Sequence, residues 1–215
     1  MKMMNRIKDL LFVVCAMFIF VSCSTYEFSV SLDNVDCPFD AKKQIGYTKI
    51  ISFVDNEICK YRYEDDYIDI VWYVDLKNFN FNMKNKTGKT IKINWDDVSF
   101  VDVNRQTRRV MHSGVKYIER NNSQPATSVP KNAYLKDCLI PTDNVRYDSG
   151  WKEYAIMPKI YKQYKDTKEF EENKKYALSF VGKTMSIYMP IMIDDVQNDY
   201  IFTFIVDKVI NTSNE

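Results

Sequence analysis

Phe79-Asn80-Phe81-Asn82-Met83-Lys84-Asn85-Lys86-Thr87-Gly88-Lys89-Thr90-Ile91-Lys92-Ile93-Asn94-Trp95 is the stretch on which the fold class turns. Phe79, Phe81 and Met83 alternate with Asn80, Asn82 and Lys84. Ile91, Ile93 and Trp95 alternate in the same way with Thr90, Lys92 and Asn94. Successive side chains of a strand point to opposite faces, so a period of two predicts strands with one apolar and one wet face. Between the two runs, Asn85–Lys89 supplies turn chemistry, with Gly88 free to take positive φ. The stretch therefore predicts a β-hairpin, Phe79–Trp95.

The same period extends outward. Ile68, Ile70, Trp72, Val74 and Leu76 alternate with Asp69, Val71, Tyr73 and Asp75. Further strands are expected over Val98–Val103, Arg108–Val115 and Leu135–Ile140, the last closed by Pro141. Gln124–Pro130 reads as extended, because residues before proline are pushed out of the helical region. Met185, Ile187, Met189, Ile191 and Ile193 share a face, and Asp194–Asp199 is expected to turn the chain. Tyr200–Val209 returns apolar on both faces, which predicts a central strand. Only residues 159–178 read as helix, with Asp166 or Thr167 as a candidate N-cap. Many short strands and one short helix predict an all-β, antiparallel β-sandwich over residues 46–210. The two hairpins, Phe79–Trp95 and Met185–Val209, resemble the immunoglobulin-like domains of secreted bacterial lipoproteins. An immunoglobulin-like Greek key is the form that this resemblance implies.

The N-terminus has a different character. Lys2, Arg6 and Lys8 precede an apolar run of twelve residues, Leu10–Val21. A bilayer-spanning helix needs about 20 residues, so the run fits a secretory signal and not a span. Phe20-Val21-Ser22-Cys23 resembles a lipobox: Ser22 is the small residue before the cysteine, and Phe20 stands where the motif prefers Leu. The resemblance implies a lipoprotein signal peptide at 1–22, cleavage before Cys23 and a diacylglycerol on Cys23. Several acyl chains on one residue anchor stably to a membrane, where a single chain is marginal. No aspartate follows Cys23 directly, which favours the outer membrane. Residues 23–45 are polar and irregular around Cys37-Pro38 and are expected to be the lipidated Cys and its tether. The abundance of Asn, Lys, Ile and Tyr, with only five glycines, resembles lipoproteins of the Bacteroidetes.

Composition then narrows the chemistry. The 30 basic and 29 acidic residues of the chain, less Lys2, Arg6, Lys8 and Asp9, leave a net charge of −1. A chain this close to neutral has no bulk electrostatic attraction to nucleic acid. With Cys23 acylated, the remaining thiols are Cys37, Cys59 and Cys138. Cys37 and Cys59, nearest in sequence, are the candidate disulfide; the alternative is three small buried apolar residues. No cysteines have zinc-knuckle spacing and His112 is the single histidine, so no metal or other cofactor is expected.

Candidate catalytic sets are thin. Ser113 neighbours His112 in a strand and so points to the opposite face. There is no Gly-x-Ser-x-Gly elbow and no glycine-rich phosphate loop. Asp65-Asp66, Asp96-Asp97 and Asp194-Asp195 fall at strand ends, where aspartate solvates turns. A calcium site from Asp194, Asp195 and Asp199 lacks a loop of defined ligand spacing. Arg108 and Arg109, near Arg105, are candidates for gripping an anionic ligand through paired hydrogen bonds. Trp72 and Trp95 fall on apolar faces and are assigned to the core. Trp151, after Gly150 in a loop-like stretch, is the aromatic best placed to meet a ligand. The leading expectation is a non-enzymatic, lipid-anchored binding or structural module of the cell envelope. The alternatives are a surface glycan-binding protein, a subunit of an envelope or pilus assembly joined by a strand edge, and an enzyme using paired carboxylates on envelope polymers.

Overall fold

The computed structural model describes residues 25–42, 50–162 and 167–210. The signal segment 1–22 and Cys23 lie outside the described residues. No helix among the described residues is long and apolar enough to cross a membrane.

The described residues open with β1 (Glu27–Asp36) and a one-turn 3-10 helix at Phe39–Lys42. A meander follows: β2 (Ile51–Asp55), β3 (Ile58–Glu64), β4 (Ile68–Val74) and β5 (Phe79–Asn85), each antiparallel to the next. Then come β6 (Ile91–Ile93), β7 (Ser99–Val101), β8 (Thr107–His112), β9 (Thr127–Val129) and β10 (Tyr134–Pro141). β11 (Val145–Tyr147) and β12 (Trp151–Glu153) form a separate two-stranded ribbon. α1 (Thr167–Leu178) leads into the closing hairpin, β13 (Thr184–Ile193) and β14 (Val196–Ile210). The main sheet runs β1-β14-β13-β7-β8-β10-β5-β4-β3-β2, with β6 on β13 and β9 on β6. The sheet curls until β1 rests against β3 and β4. The molecule is an all-β, antiparallel sandwich or barrel-like fold, as the alternation predicts.

Alternation also decides what the curl encloses. Ile68, Ile70 and Trp72 of β4 point inward with Phe79, Phe81 and Met83 of β5. They meet Tyr200, Phe202, Phe204 and Val206 of β14 in one continuous core. Trp72 is its centre, with ring centroids 5.0 Å from Phe81, 5.0 Å from Phe202 and 5.6 Å from Phe204. β14 is hydrogen-bonded to β1 on one side and β13 on the other, so the central position expected of it holds. Its turn is tighter than expected. Asp194 (φ 47°) and Asp195 (φ 62°) alone reverse the chain, and Val196 already pairs with Ile193.

Three sequence expectations need correction. First, β5 and β6 do not pair: β5 lies between β4 and β10, while β6 pairs with β13 and β9. The predicted hairpin Phe79–Trp95 is a crossing between layers, organised by the fully buried Asn85. Its side-chain amide donates to the carbonyls of Lys89 (2.7 Å) and Val129 (2.9 Å), and its Oδ1 accepts from the Thr87 amide and hydroxyl. Second, the described residues of the span 23–45 are folded structure and not tether. β1 is a ten-residue strand inside that span, pairing from Glu27↔Ile210 to Asp36↔Ile201. Register shifts at Ser29/Val30 and Leu32/Asn34 break its alternation, so its buried residues, Leu32 and Val35, stand three apart and hide the period of two. Third, the helix is shorter than 159–178. Ile160 and Tyr161 are extended and hold the start of the domain: Tyr26 N donates to Ile160 O at 3.0 Å, and Thr25 bridges Tyr161.

Candidate functional site

The concave surface richest in chemistry lies where β8 ends. Gly114 (φ 88°) turns the chain away from the sheet, a conformation that glycine adopts without a side-chain clash. A 3-10 turn at Tyr117–Glu119 follows. The β11–β12 ribbon folds over it through the turn Ser149-Gly150, closed by Asp148 N donating to Gly150 O at 2.8 Å. A small second core of Met111, Ile140 and Val145, with Val115, Tyr117 and Cys138 against it, forms the floor. The result is an open cleft of about 650 Å³ lined by His112, Ser113, Tyr117, Cys138, Trp151 and Glu153, among others. That volume lies in the range of small-ligand sites, about 300–1,000 Å³.

Trp151 is 36 % exposed at the cleft wall. Tyr147, its cross-strand partner, meets it edge-on at 5.6 Å, and Tyr117 lies at 6.1 Å. The Arg120 guanidinium sits 5.0 Å from the indole centroid. The Tyr117 hydroxyl donates to Glu153, and that bond, with burial and the nearby carboxylate charge, pushes its pKa up to about 12. The cleft therefore combines flat aromatic surface with fixed donors and acceptors.

The groups that could react are held otherwise. His112 stacks on Trp95, centroids 4.2 Å apart and planes 13° apart. Its Nδ1 is 3.0 Å from Asp137 Oδ2, and among the described residues the ring's hydrogen bonding goes to that carboxylate. Asp137 Oδ1 accepts from the amides of Ser113 (2.8 Å) and Cys138 (2.7 Å). Burial alone raises the Asp137 carboxyl, but His112 and these amides outweigh it and hold it below the ordinary carboxylate range. Burial pushes the Cys138 thiol up, against a weaker opposing hydrogen bond with Ser113 at 3.4 Å. A thiol kept protonated is a poor nucleophile. Base and orienting carboxylate are thus together, but the neighbouring Ser113 and Cys138 pair with each other.

Arg108 and Arg109 are each held by carboxylates of the chain itself, and Nε of Arg109 is buried without a hydrogen-bond partner among the described residues. Arg108 gives Nε and Nη2 to Asp102 Oδ2 at 2.9 and 2.8 Å, and Nη1 to Asp143 at 2.8 Å. Arg109 gives Nη2 to Asp96 and to the Asn122 carbonyl. As neighbours on a strand they diverge, and each finds carboxylate on its own side. Cys37 and Cys59 are not joined, and Cys138 carries no disulfide. Cys59 is exposed on the β2–β3 hairpin and donates to the Tyr61 hydroxyl at 3.3 Å, whereas Cys37 is half-buried beyond the end of β1. Asp194 faces Lys89 at 3.3 Å, and Asp199 accepts from Tyr188 and Gln197. Among the described residues, no three His, Cys, Asp or Glu side chains gather as a metal site.

Of the candidates read from sequence, the fold places only Trp151 in the cleft with an exposed face. Tyr147 belongs to the same loop-like stretch read from sequence, whereas Tyr117, Arg120 and Glu153 are additions that sequence reasoning missed. The signal was partly present: Tyr147 and Trp151 flank Ser149-Gly150 at hairpin spacing. Comparison with protein-family models, with curated proteins and with solved structures finds no match.

Proposed function

We propose that the protein is a lipid-anchored lipoprotein of the bacterial cell envelope, held at the outer membrane through Cys23, that binds glycan at the Trp151 cleft without transforming it. The exposed indole between Tyr117 and Tyr147 carries this reading. A sugar ring offers a C–H face that stacks on an indole, and hydroxyls that pair with rim groups such as Glu153, Arg120 and Lys116. The immunoglobulin-like form of the sandwich is part of the proposal, supported by its antiparallel, two-layer packing. The protonated Cys138 thiol and the committed His112 support binding over catalysis.

A glycan array with the purified chain, followed by titration of Trp151→Ala, is the test. Replacing the indole is expected to weaken binding tenfold or more, about 1.4 kcal/mol, with an unchanged circular dichroism spectrum. An array silent for the unaltered chain overturns the glycan reading. Palmitate incorporation that persists in Cys23→Ala overturns the anchor.

A second reading, a subunit of an envelope assembly, is favoured by β2. Among the described residues it ends the sheet, and Ile51, Phe53 and Val54 along it are exposed, Val54 at 71 %. An extended partner strand fits such an edge. Phe53→Asp separates the two readings: it is expected to leave glycan binding intact while releasing the chain from any assembly seen by native gel of envelope extracts.

A further inference from the structure

We infer that the end of the sandwich around Thr25, Tyr161 and Tyr176 lies directly on the bilayer that holds the anchor, with its lysines among anionic headgroups. The inference rests on the reading of Cys23 as the acylated residue. It begins from chain length. Only Ser24 separates Cys23 from Thr25. Thr25 is already bridged to Tyr161, and Tyr26 is 7 % exposed, with the Lys162 ammonium 5.2 Å from its ring centroid. Two fully extended residues span at most about 7 Å. A leash that short cannot lift a folded body clear of the headgroup layer, so the surface beside Thr25 is the surface that meets it.

That surface has the composition an interface calls for. Tyr161 is 41 % exposed, with the Lys159 ammonium 5.0 Å from its ring centroid. Asn173 of α1 donates to Tyr161 O at 3.1 Å, which seats the helix beside it. Tyr176, 54 % exposed, packs edge-on against Phe180 at 5.2 Å, and Phe180 against Phe28 of β1 at 5.7 Å. Ile210, 39 % exposed, is the cross-strand partner of Glu27. Tyrosine with its polar tip, and lysine with its long apolar stem, are side chains suited to the boundary between water and lipid. Among the described residues of 159–183, Lys159, Lys168, Lys174 and Lys175 are exposed and Lys183 half-buried, against Glu169, Glu171 and Glu172, while the whole chain is only +1. Each lysine near an anionic leaflet contributes about 1 kcal/mol.

The test uses the full chain purified from membranes and placed in vesicles of phosphatidylethanolamine and phosphatidylglycerol. Lysines are acetylated with a membrane-impermeant reagent and read by mass spectrometry, beside unacylated Cys23→Ser chain mixed with the same vesicles. Lys159, Lys174 and Lys175 are expected to react roughly fivefold or more slowly in the anchored chain, with Lys89 and Lys131 unchanged. Equal rates at all five sites in a chain whose Cys23 peptide carries diacylglycerol would overturn the docking face and leave the anchor standing. A Cys23 peptide without diacylglycerol removes the anchor reading, and the docking face falls with it.

Discussion

Trp72→Ala is expected to lower stability by about 4 kcal/mol, and Trp72→Phe by no more than about 1.5 kcal/mol. Trp72 is fully buried and packs against rings from both layers: Phe81 from its neighbour β5, Phe202 and Phe204 from β14. Truncation to alanine removes the group these three rings close around and leaves a cavity at the point where the two layers meet. The indole also carries a cost. Its Nε1 is buried with no hydrogen-bond partner, so folding strips water from that N–H without replacing it. A phenyl ring loses some buried area but is rid of the stranded donor, and the two effects oppose. Urea denaturation of the three proteins measures this, with an unchanged slope showing that only stability has moved. Trp72→Phe as costly as Trp72→Ala would mean that the shape of the indole, and not buried apolar volume, sets the packing here.

Trp72 also illustrates which parts of the fold are legible in the sequence. Period two is a local property. β4, β5, β13 and β14 announce themselves within a few residues because one face of each is dry. Partner choice is not local. Thr87-Gly88 reads as a hairpin turn, yet Asn85 reaches the carbonyl of Val129, 44 positions away, and the chain crosses to the other layer instead. β1 escaped for a different reason. It is an edge strand among the described residues, with two register irregularities, and its half-buried Ser and exposed Asn and Asp look like linker. The site divides along the same line. Trp151 was legible from the glycine before it. The carboxylates that occupy Arg108 and Arg109 were not, because Asp143 is 35 residues and Asp96 13 residues from the arginine it meets. Charge clusters read from sequence look available until the fold supplies their partners.

Asp65 is the furthest case of this, and substitutions there are expected to have the second-largest effect: about 3 kcal/mol lost for Asp65→Ala, and about 1 kcal/mol for Asp65→Asn. Beside Asp66, at the end of β3, Asp65 reads as a solvated turn residue. It is 1 % exposed. Its Oδ1 accepts from the amides of Tyr67 and Ile68, both at 2.8 Å, and builds the turn into β4. Its Oδ2 accepts from the hydroxyls of Tyr63 at 3.0 Å and Tyr200 at 2.8 Å, the latter 135 residues away on β14. Alanine strands four donors at once, three of them buried and the Tyr67 amide half-buried. Asparagine keeps an acceptor for the two amides and turns its NH₂ toward tyrosine oxygens, which accept as well as donate.

The pH dependence separates charge from shape at Asp65. Burial raises its carboxyl above the ordinary 3.8, outweighing the hydrogen bonds from Ile68, Tyr200, Tyr67 and Tyr63 that pull the other way. The folded protein therefore holds this proton more tightly than the unfolded chain does. The stability it contributes is fully present below the ordinary carboxylate value and is lost as pH rises through the raised native one. Asp102 and Asp137, both lowered, act in the opposite sense and lose their contribution as pH falls. Their effect is common to the unaltered chain and to Asp65→Asn, so the difference between the two proteins isolates Asp65. That difference, taken from urea midpoints across the acidic range, is expected to favour the unaltered chain most at low pH and to shrink as pH rises, because asparagine mimics the protonated acid without titrating. A difference independent of pH would show that the carboxyl titrates alike in both states, and that the Asp65 cluster acts through hydrogen-bond geometry alone.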